Sequence, residues 1–213
     1  MNLLPKKTNK ISKFYNLSFP IINPIALSIG PINIHWYGLA YLAGILTGIF
    51  LGNKSKKWIA FNTDISDFAF SIVVGIILGG RLGYVVFYDP IYYLYNPLDI
   101  LAVWKGGMAF HGGAFGAFLG VLVYCKKNKL SIKKGMDILA FCATPGLFFG
   151  RIANFINGEL YGRPSDSLLA IVFPTGGPFL RHPSQLYEAF FEGVILFLVL
   201  LYVFKKKIGR AHV

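Results

Sequence analysis

The chain has 213 residues, of which 55% are hydrophobic and only 14% charged, and its mean hydropathy is +0.57. A soluble domain carries about 25% charged residues, so a chain this apolar cannot cover itself with polar groups in water. Lipid is the solvent it fits, and its length allows one domain of about five spans of ~20 residues. The net charge of +12 would suit a nucleic-acid partner, but the lysines fall in short clusters between apolar runs. That is how orientation signals sit in a membrane protein, and it argues against nucleic acid.

In chain order, Lys6, Lys7, Lys10 and Lys13 precede the interrupted stretch Phe19-Pro20-Ile21-Ile22-Asn23-Pro24, with no apolar core long enough for a signal peptide. Residues 1–35 are predicted to be a surface arm entering a first span. Spans are predicted at about 36–52, 68–88, 108–125, 137–153 and 186–204. The expected fold is all-α, a polytopic helical membrane bundle with a small extracytoplasmic head region. Gly38, Gly44 and Gly48 in the first span predict close helix packing. Lys54, Lys56 and Lys57 follow the first span, Lys126, Lys127, Lys129, Lys133 and Lys134 the third, and Lys205, Lys206 and Lys207 the fifth. With alternating spans these clusters share one face, which the positive-inside rule makes cytoplasmic. The amino terminus, 89–107 and 154–185 are then expected outside, with most of the unusual polar residues. Cys125 and Cys142 have no metal-ligand spacing and read as small apolar residues rather than a disulfide or zinc site.

Within the second span lies Gly79-Gly80-Arg81-Leu82-Gly83-Tyr84. An arginine in a span is costly, so Arg81 is expected either to face a polar cavity or to snorkel to lipid phosphate. The third span opens on Gly106-Gly107-Met108-Ala109-Phe110-His111-Gly112-Gly113. Neutral imidazole accepts a proton near pH 7 and glycines let a substrate approach, although a lone histidine among apolar residues is more often a satisfied structural group. His35, in His35-Trp36-Tyr37-Gly38, is an ordinary interfacial aromatic cluster.

The densest polar run is Gly150-Arg151-Ile152-Ala153-Asn154-Phe155-Ile156-Asn157-Gly158-Glu159-Leu160-Tyr161-Gly162-Arg163-Pro164. Arg151, Asn154 and Asn157 share a helix face if the helix continues, and a guanidinium with two amides suits a phosphate. Glu159 is expected to hold Arg151 or Arg163, or to act as a base; a helix-ending cap and salt-bridge cluster is the structural alternative. In Arg181-His182-Pro183-Ser184-Gln185-Leu186-Tyr187-Glu188, Pro183 followed by Ser184 and Gln185 suits a helix start, Glu188 favours the positive end of its dipole, and the Arg–His pair could also take an anionic head group. No nucleophile constellation, P-loop or metal-ligand set is present in the sequence, and no cofactor is implied. Residue chemistry alone thus reaches lipid-phosphate binding, and leaves an enzyme, a lipid or solute transporter and a structural membrane subunit open.

The run Gly150 to Gly162 resembles the signature of bacterial phosphatidylglycerol–prolipoprotein diacylglyceryl transferases. His-Trp-Tyr-Gly at 35–38, Gly-Gly-Arg-Leu-Gly-Tyr at 79–84, His-Gly-Gly at 111–113 and Arg-His-Pro-Ser-Gln-Leu-Tyr-Glu at 181–188 resemble the family's other blocks, in order. The resemblance covers roughly 20–204. It implies transfer of the diacylglyceryl group of phosphatidylglycerol to the lipobox cysteine of a prolipoprotein signal peptide, in a bacterial plasma membrane, with a thioether formed and glycerol phosphate released. It implies catalytic roles for Tyr37, His111 and Arg151, with His111 as candidate base, and phosphatidylglycerol binding by Arg151, Asn154, Glu159 and Gly162; Arg81 and Arg181 join them as expected headgroup ligands on their own residue chemistry. The family has about seven spans and continues with a block carrying a Tyr, an Arg and a Glu. Here the chain ends in Ile208-Gly-Arg-Ala-His-Val213, which does not resemble it. The expectation is one transferase domain over 1–207, incomplete at its carboxyl end, followed by a non-native tail at 208–213.

Overall fold

The structure is a computed structural model, and it describes residues 19–20 and 22–210. The predicted lysine arm (Lys6, Lys7, Lys10, Lys13) and Ala211–Val213 of the expected tail lie outside the described residues. A hairpin of β1 (Ile25–Ile29) and β2 (Ile32–His35) leads into α1 (Trp36–Ile59). Then follow α2 (Ile65–Phe87), short α3 (Pro90–Tyr95), two 3₁₀ turns over Pro97–Leu101 and Val103–Lys105, α4 (Phe110–Lys127) and α5 (Ile132–Ile156). A second small hairpin pairs β3 (Ile171–Val172) with β4 (Leu180–Arg181). The last helix starts as α6 (Ser184–Glu188), widens to a π-helix over Ala189–Ile195, and continues as α7 (Leu196–Arg210). It therefore enters the expected tail by three residues.

The five expected spans correspond to the five long helical segments, and the protein is helical and membrane-spanning. Among the described residues, Ile65–Phe87, Ile132–Ile156 and Ser184–Lys206 are long and apolar enough to cross a membrane. The helices outrun the apolar stretches because their last turns carry cations, Lys56 and Lys57 in α1 and Lys126 and Lys127 in α4, which favour the negative end of the helix dipole. The two hairpins are the departure from an all-α reading. The first was signalled by alternating apolar residues on both sides of Gly30-Pro31.

The chain divides into two compact units, Met1–Gly44 with Gly146–Leu196, and Ile45–Pro145 with Phe197–Val213. The second is organised by the packing of α2 on α4. Glycines recur every fourth residue at 75, 79 and 83 on α2 and at 112, 116 and 120 on α4, so each helix presents a flat stripe and the backbones meet. A Cβ on Gly75 or Gly116 would land on the carbonyl oxygen of the other, and one on Gly120 would lie 2.6 Å from the Ser71 oxygen. Beside this seam sits an apolar core of Phe61, Phe68, Val121, Cys125, Ile138 and Phe141. Cys125 is buried and Cys142 half-buried against Gly48 and Gly52. Of the three first-span glycines expected at close contacts, Gly44 meets Gly146 and Gly48 meets Cys142, but Gly38 has open space around it.

In the first unit, a small aromatic core joins Phe19, Phe155, Tyr161 and Phe173. It packs under the turn where α5 ends.

Candidate functional site

The end of α5 fixes the geometry of the polar run. The helix stops at Ile156, and Gly158 takes φ +65°. The Gly158 N–H donates to the Phe155 carbonyl at 2.9 Å and the Glu159 N–H reaches back to the Asn154 carbonyl at 3.1 Å. This pair is a Schellman cap, which satisfies carbonyls that the helix end would otherwise orphan. The cap turns the chain back, so that Glu159 lies over the last helical turn rather than beyond it. Asn157 consequently sits in the cap and does not extend the Arg151–Asn154 face.

Three side chains then converge. Tyr37, on the first turn of α1, donates its hydroxyl to Glu159 Oε1 at 2.5 Å. Asn154 donates Nδ2 to the same oxygen at 2.9 Å and also to the Tyr37 hydroxyl. Asn154 is 6% exposed, so its donors are engaged away from solvent. The Tyr37 ring stacks on Tyr41, which fixes its direction. Glu159 therefore contacts neither Arg151 nor Arg163, contrary to the expectation that it would hold one of them; the turn at Gly158 carries it to Tyr37 and Asn154 instead.

Arg151 lies one turn before Asn154 on α5. Its Nε is 2.7 Å from Glu188 Oε2 and its Nη2 3.8 Å from Glu192 Oε2. Glu188 was read as a helix-start residue, and its ion pair with Arg151 was not foreseen. Glu192 was not singled out at all. A carboxylate four residues after another in an apolar helix was the available signal, because ionisable residues in spans usually have a partner or a function.

The backbone after Glu159 is held from the start of α6. Gly162 donates its N–H to the His182 carbonyl at 2.8 Å, and a Cβ at Gly162 would come within 3.1 Å of the His182 Cβ. Gly162 thus permits close approach of two chain segments. Arg181 donates Nε to the Gly176 carbonyl at 3.0 Å and packs its guanidinium over Tyr161. It braces the second hairpin and its loop, a structural task beside the lipid contact expected of it. The ring of His182 is 3.3 Å from the Tyr187 hydroxyl.

Two expected site residues belong to the second unit. Arg81 is 4% exposed, and each of its nitrogens faces a carbonyl. Nε donates to Ile100 at 2.9 Å, Nη2 to Asp99 at 2.5 Å, and Nη1 to Gly106 at 2.5 Å and Gly107 at 3.1 Å. Tyr93 lies against the guanidinium. Arg81 thus pins the loop between α2 and α4. Its donors are turned onto the protein's own backbone rather than toward a head group. Gly106 and Gly107, with φ +81° and +79°, make the bend that Arg81 grips. The loop leads into α4, where His111 is exposed on the first turn. His111 lines an open pocket of about 380 Å³ with Phe87, Tyr88, Ala109 and Gly112. His35 is exposed at the end of β2.

The family model for prolipoprotein diacylglyceryl transferase matches residues 24–213. The chain is 52% identical over 198 residues to the phosphatidylglycerol–prolipoprotein diacylglyceryl transferase of Allorhizobium ampelinum, covering 89% of this chain and 69% of that protein. It is 50% identical over 196 residues to the protein of that name from Rickettsia bellii, covering 89% and 74%, and 49% identical over 191 residues to that of Rhodospirillum rubrum, covering 87% and 70%. By the match over most of its length, with the Tyr37–Asn154–Glu159 cluster formed within the matched region, the chain belongs to the prolipoprotein diacylglyceryl transferase family.

Proposed function

We propose that this protein transfers the diacylglyceryl group of phosphatidylglycerol to the lipobox cysteine of prolipoproteins, the first step of lipoprotein maturation. The thiolate sulfur attacks the diacylglyceryl carbon bonded to the phosphate oxygen. The carbon–sulfur bond forms, the carbon–oxygen bond breaks, and glycerol phosphate leaves with the electron pair while the thiol proton passes to a base. The observation that carries this reading, beside family membership, is the Tyr37–Asn154–Glu159 cluster set one helical turn from Arg151. A fixed hydrogen-bonded cluster of this kind orients a polar head group without reorganising during reaction.

In this reading Arg151 faces the phosphate and stabilises charge growing on the leaving group. Tyr37, Asn154 and Glu159 fix the glycerol end, and Gly162 lets the chain segments of the site lie close. His111 is the candidate base; it lies in the other unit and enters on the family resemblance alone. The positive-inside pattern supports a plasma-membrane protein whose site faces the extracytoplasmic side. The gathering of the unusual polar residues in the segments expected outside also favours the enzyme over a transporter, which needs a polar path to both faces.

The test incubates membranes containing the protein with phosphatidylglycerol and a lipobox peptide. The expected result is a diacylglyceryl mass gain on the peptide thiol with equimolar glycerol phosphate. No mass gain rejects the enzyme reading, and movement of intact lipid without it favours the transporter.

A further inference from the structure

Gln185 is fully buried on the first turn of α6. Its Nε2 donates to the Glu159 carbonyl at 2.5 Å, while its Oε1 is buried with no partner among the described residues. A half-satisfied buried amide is a poor choice for packing alone, because a methionine of similar shape would carry no desolvated acceptor. Beside it, the Ser184 hydroxyl donates to the Leu160 carbonyl at 3.0 Å. The start of α6 therefore holds two consecutive carbonyls of the turn that displays Glu159. That turn needs holding. Leu160 has φ +53°, a left-handed conformation that a leucine keeps only where its surroundings enforce it. Released from the grip, Leu160 would relax to negative φ, and the Glu159 carboxylate would swing off Tyr37 and Asn154.

We propose that Gln185, assisted by Ser184, is a positioning residue: it holds the backbone at Glu159 so that the carboxylate accepts from Tyr37 and Asn154 together. This rests on the functional reading above, for what the cluster is used for; the mechanical claim stands separately.

The test compares wild type, Gln185→Met, Ser184→Ala, Glu159→Gln and the doubles Q185M/E159Q and S184A/E159Q, all expressed in membranes. Transfer to the lipobox peptide, thermal unfolding in detergent and amide hydrogen exchange over 158–163 are measured. Gln185→Met should lower kcat/KM about 10-fold, the loss expected from one hydrogen bond. Its unfolding temperature should change little, since removing the orphaned Oε1 is offset by leaving the Glu159 carbonyl without its donor. On the Glu159→Gln background the same change should cost less than about twofold, because a residue acting through Glu159 has nothing left to position. Ser184→Ala should show the same non-additivity with a smaller loss of about threefold.

Exchange at 158–163 should quicken in Gln185→Met while α5 is unchanged. Wild-type activity in Gln185→Met, losses that multiply fully on the Glu159→Gln background, or unchanged exchange would each overturn the proposal. A Gln185→Met protein that does not accumulate, combined with additive Ser184→Ala losses, would make the role one of bulk stability and overturn it too. If wild type transfers nothing, the functional reading fails; the exchange measurement still decides whether Gln185 holds the turn.

Discussion

Replacing Tyr37 by Phe removes one atom at the centre of the cluster and leaves the ring stacked on Tyr41. The hydroxyl makes two bonds, donating to Glu159 at 2.5 Å and accepting from Asn154. The Asn154 bond to Glu159 at 2.9 Å survives, so the carboxylate loses one of two donors and keeps the other. A hydrogen bond to a charged group is worth about 1.5–3 kcal/mol. Taking about 2 kcal/mol, and with each 1.36 kcal/mol a factor of ten in rate, kcat/KM should fall roughly 30-fold. The assay is diacylglyceryl transfer to a lipobox peptide at limiting phosphatidylglycerol, with unfolding temperature measured on the same preparation. Transfer within about threefold of wild type would refute the claim that the Tyr37 hydroxyl organises the site.

Arg151→Lys keeps the charge but loses the planar fork that lies against Glu188 and would face a phosphate, so transfer should drop more than about 10-fold; unchanged turnover counts against Arg151 as the phosphate ligand. Gly116→Ala should destabilise the α2–α4 seam by about 3 kcal/mol, because the new methyl meets the Gly75 backbone and no rotamer relieves it; an unfolding temperature equal to wild type would contradict the packing. The Asp99 carboxyl is held below its ordinary pKa by hydrogen bonds from Lys105 at 2.8 Å and Tyr92 at 2.5 Å. A depressed pKa means that its stabilising effect is complete above the unfolded carboxylate value near ~4 and is lost as pH falls through the folded value. The gap in unfolding temperature between wild type and Asp99→Asn should therefore close on acidification, and a gap independent of pH would contradict it.

The helices were legible because apolar runs of span length have few other solutions. Their ends were not, since Lys54 to Lys57 break the hydropathy without breaking the helix. The α2–α4 seam was also available as glycines at every fourth position, a stronger pattern than the Gly38, Gly44 and Gly48 set that drew attention first. Arg81 stands out in the sequence because a guanidinium is difficult to place in a span. Its partners, however, are carbonyls up to 26 residues away, made reachable by left-handed glycines at 106 and 107. No local pattern reports that. At Glu159 the residue type was informative and its direction was not. Asn157-Gly158 signalled the end of α5, but only the completed cap shows that the next side chain points back to Asn154.

The surroundings of Arg151 constrain how an anion could bind there. One guanidinium faces two carboxylates, Glu188 and Glu192, so the three groups together carry net negative charge when ionised. An unpaired arginine in a spanning segment would cost several kcal/mol, which is reason enough for the pairing when no lipid is bound. If Arg151 takes the phosphate as proposed, that phosphate does not enter a positive vacancy; it must replace Glu188 as the guanidinium's partner. Exchange of one anion for another leaves the charge on Arg151 neutralised throughout, but the displaced carboxylate then needs a proton, a cation or water. Both carboxylates lie on the segment from Glu188 into the π-helix at 189–195. Such local widenings occur often at functional sites, where they can change which way a side chain points. Under the proposal that Arg151 takes the phosphate, Glu188 and Glu192 are the groups an incoming anion must displace, although neither carries a charge that attracts phosphate.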